Sequence, residues 1–131
     1  MKPTYIDAYV LIVKKNNVEK YKKMAQDGCA MWMKHGALSY RECIGDDITP
    51  KEEGDMKPLG FPALTQLQDD ETVWFSYIEY NSKEHRDEVN AKVFAEWGVK
   101  MQENPEFAKE CAEVMEMHRF SSGGFRIEVS N

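Results

Sequence analysis

Residues 5–13 alternate between two faces, Tyr5, Asp7, Tyr9 and Leu11 on one side and Ile6, Ala8, Val10 and Ile12 on the other. One face is wholly apolar and the other amphipathic, so this is not the half-wet strand of an open sheet. The pattern predicts a strand covered on both sides. Any fold built around it must therefore supply packing above and below the sheet.

After a turn at Asn16-Asn17, either of which could cap the next helix, residues 18–35 place Val18, Tyr21, Ala25, Cys29 and Trp32 at helical spacing. Met24, Gly28 and Met31 lie beside that stripe, and Gly36 comes next as a residue that accepts positive φ. Residues 38–44 predict a second strand. Residues 45–71, with Pro50, Pro58 and Pro62 and the acidic clusters Asp46-Asp47, Glu52-Glu53 and Asp69-Asp70-Glu71, read as one long irregular stretch. The densest aromatic and β-branched run, residues 72–80, predicts a third strand. Ser82 is placed to cap a second helix with Val89, Val93, Trp97 and Met101 on its apolar stripe and Arg86 and Asn90 flanking it. Asn104-Pro105 restarts a short helix, Gly123-Gly124 reads as a turn, and residues 124–129 predict the last strand.

Composition bounds the function. The 131 residues are 42% hydrophobic, enough for one core, and the expectation is a single domain over residues 1–131 with an acidic Pro- and Gly-containing loop at about 46–70. Seventeen Lys and Arg against 23 Asp and Glu leave a net charge of −6, which speaks against nucleic acid or an anionic membrane as partner. No apolar run is long enough to span a bilayer, and the early charged residues interrupt any signal peptide. Cys29, Cys43 and Cys111 are odd in number and form neither a disulfide framework nor a CxxC motif, so a reducing, cytoplasmic setting is expected. His35, His85 and His118 are equally scattered. With no metal-ligand spacing, no GxGxxG, no P-loop and no GxSxG, neither a metal nor a cofactor is expected. The eight methionines are spread over several helices and read as adaptable packing.

The order of elements, strand, helix, strand, strand, helix, strand, is that of a ferredoxin-like split βαβ fold in the α+β class, with a four-stranded antiparallel sheet. Helices on one side leave a second face to cover. Tyr5, Tyr9, Leu11, Trp74, Phe75 and Tyr77 cannot all face the helices, because strand neighbours alternate. An aromatic face left in water would exceed what monomers usually expose. A homodimer, two sheets paired across a two-fold axis into an α/β barrel, removes the difficulty.

Three segments carry a family resemblance. They are His35-Gly36-Ala37-Leu38-Ser39-Tyr40-Arg41-Glu42-Cys43-Ile44-Gly45-Asp46-Asp47, then Asp70-Glu71-Thr72-Val73-Trp74-Phe75-Ser76-Tyr77-Ile78, then His85-Arg86-Asp87-Glu88-Val89-Asn90-Ala91-Lys92-Val93. With the closing Gly123-Gly124-Phe125, they resemble the YbaA-like family of unknown function, DUF1428. The resemblance spans nearly the whole chain and implies the dimeric α/β-barrel group. It implies no substrate and no catalytic residue. The chain departs from the family pattern in its enlarged acidic loop at residues 46–60.

Candidate pocket residues are Tyr9, His35, Tyr40, Glu42, Trp74, Tyr77, Arg86 and Asn90. Tyr9, Tyr40, Glu42, Trp74 and Tyr77 would wall a cavity suited to a flat, partly apolar molecule, or serve simply as core and dimer packing. A carboxylate such as Glu42 in a covered strand needs a partner. Arg86 is expected to tie to a sheet carboxylate, Glu42 foremost, or else to hold a ligand's carboxylate or phosphate with Asn90 orienting it. His35 either caps the first helix and bonds nearby carbonyls or takes a ligand-binding or proton-transfer role at the sheet end. Three functions are open to such a chain: a dimer holding a small organic ligand, a cofactor-independent monooxygenase- or isomerase-like enzyme with Trp74 and His85 in the chemical roles, or a structural dimer acting through protein partners.

Overall fold

The computed structural model describes residues 2–131. Strand β1 (Tyr5–Lys14) runs through a 3-10 turn into helix α1 (Val18–Lys34), and β2 (Ser39–Ile44) comes next. After the long loop come a short helix α2 (Phe61–Thr65), β3 (Glu71–Tyr80), α3 (Lys83–Glu103), α4 (Pro105–Val114) and β4 (Ser121–Arg126). The four strands form one antiparallel sheet in the order β2-β3-β1-β4, the ferredoxin-like arrangement.

Helix ends obey local chemistry. Gly36 has φ +108°, and the bonds Gly36 N–H to Met33 O and Ala37 N–H to Trp32 O form a Schellman closure of α1. Ser82 Oγ accepts from the His85 backbone N–H and caps α3. Asn17, by contrast, makes no side-chain cap bond at the start of α1, where the preceding 3-10 turn leads the chain into the helix. Pro105 opens α4, where its missing N–H costs nothing.

Packing divides β1 by parity. Asp7, Tyr9, Leu11 and Val13, together with Trp74, Ser76, Ile78 and Tyr80 of β3, face the helices. One cluster joins Leu11, Val13 and Trp74 to Tyr21, Met24, Cys111 and Val114; the other joins Ile78 and Tyr80 to Ala37, Val89 and Val93. Side chains such as Leu11 and Val93, at most 2% exposed, each contribute roughly 1.5–3 kcal/mol by leaving water. The wholly apolar face, with Ile6, Ala8 and Val10, points away from the helices. At one end of it the long loop folds back: Gly45 donates to Val73 O at 2.8 Å, and α2 lies against β3. Ile12 and Val73 are buried there, whereas Phe75 and Phe125 remain 40% and 57% exposed.

Two expectations need correction. The irregular stretch contains helix α2, only five residues long and closed by Gln66 in the left-handed region at φ 54°. The last strand lies three residues earlier than the pattern of Phe125, Ile127 and Val129 suggests. Its ladder with β1 runs from Ser121 opposite Val10 to Arg126 opposite Tyr5, and Ile127 adds a single bond to Thr4 O. Gly123-Gly124 is therefore inside the strand, not a turn. Gly124 is needed there because a Cβ would overlap the Tyr5 hydroxyl and Arg86 Nη1.

Candidate functional site

A cavity of about 540 Å³ opens between the helix-facing side of the sheet, helices α1 and α3, and the segment that follows α4, with walls drawn from both packing clusters. Strand register sets its floor. Glu42 of β2 lies opposite Ser76 of β3, Ser76 opposite Tyr9 of β1, and Tyr9 opposite Ser122 of β4. This row of polar residues crosses the whole sheet, and all four line the cavity. Trp32, Trp97 and Phe120 supply aromatic wall, and Met24, Met101 and Met115 adaptable surface. Phe94 and Met117, which also line it, are 59% and 65% exposed and mark its mouth.

Two polar clusters stand at opposite sides of this floor. In the first, Asp7 is 4% exposed and both of its oxygens are engaged. Arg86 Nη1 donates to Oδ1 at 2.5 Å and Asn90 Nδ2 to Oδ2 at 3.1 Å. Asn90 Oδ1 in turn accepts from Trp32 Nε1 at 3.0 Å and from the Tyr80 hydroxyl at 3.2 Å. Arg86 also donates from Nε to Asp87 at 2.7 Å, and its guanidinium lies 4.9 Å from the centre of the Tyr5 ring. The network satisfies itself and stiffens the junction of β1 with α3.

The second cluster centres on Glu42, whose Oε1 accepts from the Tyr40 hydroxyl at 2.8 Å and whose Oε2 accepts from the Tyr21 hydroxyl at 2.9 Å. No cationic side chain forms an ion pair with it among the described residues. Burial raises the Glu42 pKa above the usual carboxylate range, and the two tyrosine donors oppose that shift. Burial, and after it the Glu42 charge, drive Tyr21 and Tyr40 well above the ordinary phenol value, so both remain neutral donors. Tyr9 is raised likewise, first by burial and then by Asp7. Its hydroxyl makes no hydrogen bond among the described residues and borders the cavity.

Of the eight candidate pocket residues, Tyr9, Tyr40, Glu42, Arg86 and Asn90 line this cavity. Tyr77 does not: its parity on β3 puts it on the outer face opposite Ala8, beside Phe75. Trp74 packs edge-on against Tyr21 at 4.9 Å in the core and borders, with Tyr40 and Glu42, a separate hollow of about 410 Å³. His35 caps α1, as its position suggests, but its side chain bonds Glu96 Oε2 at 3.2 Å and ties α1 to α3 rather than reaching carbonyls or the cavity. His85 accepts from the Asn81 backbone at 2.9 Å beside Tyr80, at the opposite end of β3 from Trp74, so those two do not converge. Arg86 pairs with Asp7, not with Glu42. Asp7 is the residue that sequence reasoning misses, although a lone carboxylate among Tyr5, Tyr9 and Leu11 on a covered face signals the same need for a partner as Glu42. Among the described residues, no three His, Cys, Asp or Glu side chains converge as a metal site.

Known proteins share both the sequence pattern and the fold. Residues 4–115 match the family model described as "Protein of unknown function (DUF1428)". The protein YbaA of Escherichia coli K12, described as uncharacterized, is 33% identical over 92 residues, covering 70% of this chain and 74% of that protein. YbaA of Shigella flexneri matches to the same extent. A crystal structure of a dimeric ferredoxin-like protein from an uncultured marine organism superposes with a TM-score of 0.57 at 12% identity. It covers 99% of this chain and 100% of its own, a likeness of fold.

Proposed function

The chain belongs to the DUF1428 family, and within it we propose that this protein is a cytoplasmic homodimer that binds a small, largely aromatic organic ligand between its sheet and its helices. The cavity carries this reading. At about 540 Å³ it falls within the range of small-molecule sites, roughly 300–1,000 Å³. Its walls are aromatic and thioether surface, and the polar floor offers the unpaired Tyr9 hydroxyl for orientation. Residues 1–131 act as one domain in this account. Three unpaired cysteines suit a reducing compartment. The net charge of −6 argues against nucleic acid, and among the described residues no helix is long and apolar enough to cross a membrane.

The homodimer rests on the outer sheet face, where Ala8 and Val10 adjoin Phe75, Tyr77 and the half-exposed Phe125. A second copy laid over this face would bury it and close a barrel. A second functional reading, a cofactor-independent enzyme, has one observation in its favour: Glu42 borders the cavity with its pKa raised by burial, as a proton-transfer group would.

Native mass spectrometry of protein taken from its own cells tests the proposal. The expected species is twice the 15.2 kDa chain mass plus an organic adduct. A dimer that never carries an adduct contradicts ligand binding, and a bare monomer contradicts both parts.

A further inference from the structure

The charges around the cavity do not balance. Its charged lining residues are Asp7, Arg86 and Glu42. Arg86 answers Asp7 at 2.5 Å and is drawn further by Asp87 at 2.7 Å. That leaves Glu42, held by two neutral hydroxyls and by no cation. Lys22 borders only the hollow on the other side of Glu42, and its ion pair is with Glu19 at 3.8 Å. Around Glu42 the surface is aromatic. Tyr21 and Tyr40 donate to it, and the Trp32 ring lies 6.0 Å from that of Tyr40.

Resting on the ligand-binding reading, we propose that the cavity selects an organic cation, an aromatic or alkyl ammonium seated against the faces of Tyr21, Tyr40 and Trp32 with Glu42 as its counter-charge. Aromatic faces attract a desolvated cation through their quadrupoles, and a carboxylate beside them adds the full opposite charge. An anionic ligand meets the reverse: the one guanidinium at the site is already spent on two carboxylates. Burial of an unanswered Glu42 holds its proton affinity up, and a bound cation supplies the charge that burial withholds. The net charge of −6 draws cations towards the protein as a whole.

The test uses three probes of one shape, 2-phenylethylammonium, 2-phenylethanol and phenylacetate, titrated calorimetrically into the full chain. The cation is expected to bind at least ten-fold tighter than the alcohol, and the acid weakest. Glu42→Gln should erase the preference, bringing the cation's affinity level with the alcohol's. Tyr40→Phe keeps the charge with one donor fewer and should widen the preference; circular dichroism checks that both variants fold. If the alcohol or the acid binds as tightly as the cation, or if Glu42→Gln keeps the preference, the cation assignment is overturned while the cavity stands as a ligand site. If none of the three binds up to millimolar concentration, the assignment and the ligand-binding reading fall together.

Discussion

A carboxylate on the covered face of a sheet needs hydrogen-bond partners, and Asp7 finds a cation where Glu42 finds only two neutral hydroxyls. Asp7 has a guanidinium and an amide, one on each oxygen. Arg86→Ala would strand Asp7, 4% exposed, without its cation, and the expected loss in chemical denaturation is about 3–5 kcal/mol. Pairing Arg86→Met with Asp7→Asn should recover much of it. A double-mutant cycle should show clear coupling of Arg86 with Asp7 and almost none with Glu42, and coupling to Glu42 instead would contradict the site as described. Both carboxylates are visible in the sequence, one in each amphipathic strand. Which of them Arg86 reaches is not, because the answer depends on the registers of β1 and β2 against β3 and on where α3 crosses the sheet, and no local pattern encodes either.

Elements are legible where period and punctuation agree. The alternation of β1 and β3 and the Gly36 stop of α1 need no tertiary information. Where the local pattern fails, a tertiary contact has overruled it or the element is too short to carry one. Helix α2 is too short to show a period. Strand β4 starts at Ser121 because its ladder is set by β1, and Gly124 must lie under Tyr5 and Arg86. The polar row of Glu42, Ser76, Tyr9 and Ser122 exists only once four strands are in register.

The loop is held by a clamp of the same kind. Arg119 donates to both oxygens of Glu71, at 2.8 and 3.0 Å, and to the Thr65 carbonyl that ends α2, at 2.9 Å. The Arg119 hydrogen bonds hold the Glu71 carboxyl below its usual range, against the opposing effect of burial. A carboxylate depressed in the fold contributes its stability in full above the unfolded value, about 4.3, and loses it as pH falls through the depressed value. Glu42, raised by burial, has the opposite sign: its contribution is present at low pH and fades as pH rises through the raised value. Urea midpoints measured as pH falls below about 4.3 should therefore drop less steeply in Glu71→Gln than in the parent. Arg119→Ala should cost about 3 kcal/mol at neutral pH, the lower end for a buried pair because Arg119 remains 22% exposed. An unchanged acid limb in Glu71→Gln would rule the clamp out as its source.

At the scale of the molecule, a sheet with one face on helices and the other half bare asks for a second layer. The long loop covers one end, over Ile12 and Val73, and leaves Phe75 and Phe125 in water. In the proposed dimer those rings meet their counterparts. Phe75→Glu should then yield monomers by light scattering with the helix content retained, while a dimer that tolerates the charge would place the interface elsewhere. Pairing on the outer face would leave the cavity on the inner side intact, so the proposed assembly and the proposed ligand binding would occupy opposite faces of one sheet. The most direct measurement is a crystal structure of the protein purified from its own cells. The account predicts two copies joined through the outer sheet faces, with organic density lodged between Tyr9, Tyr40 and Trp32. Outer faces open to solvent and a cavity filled only with ordered water would contradict it.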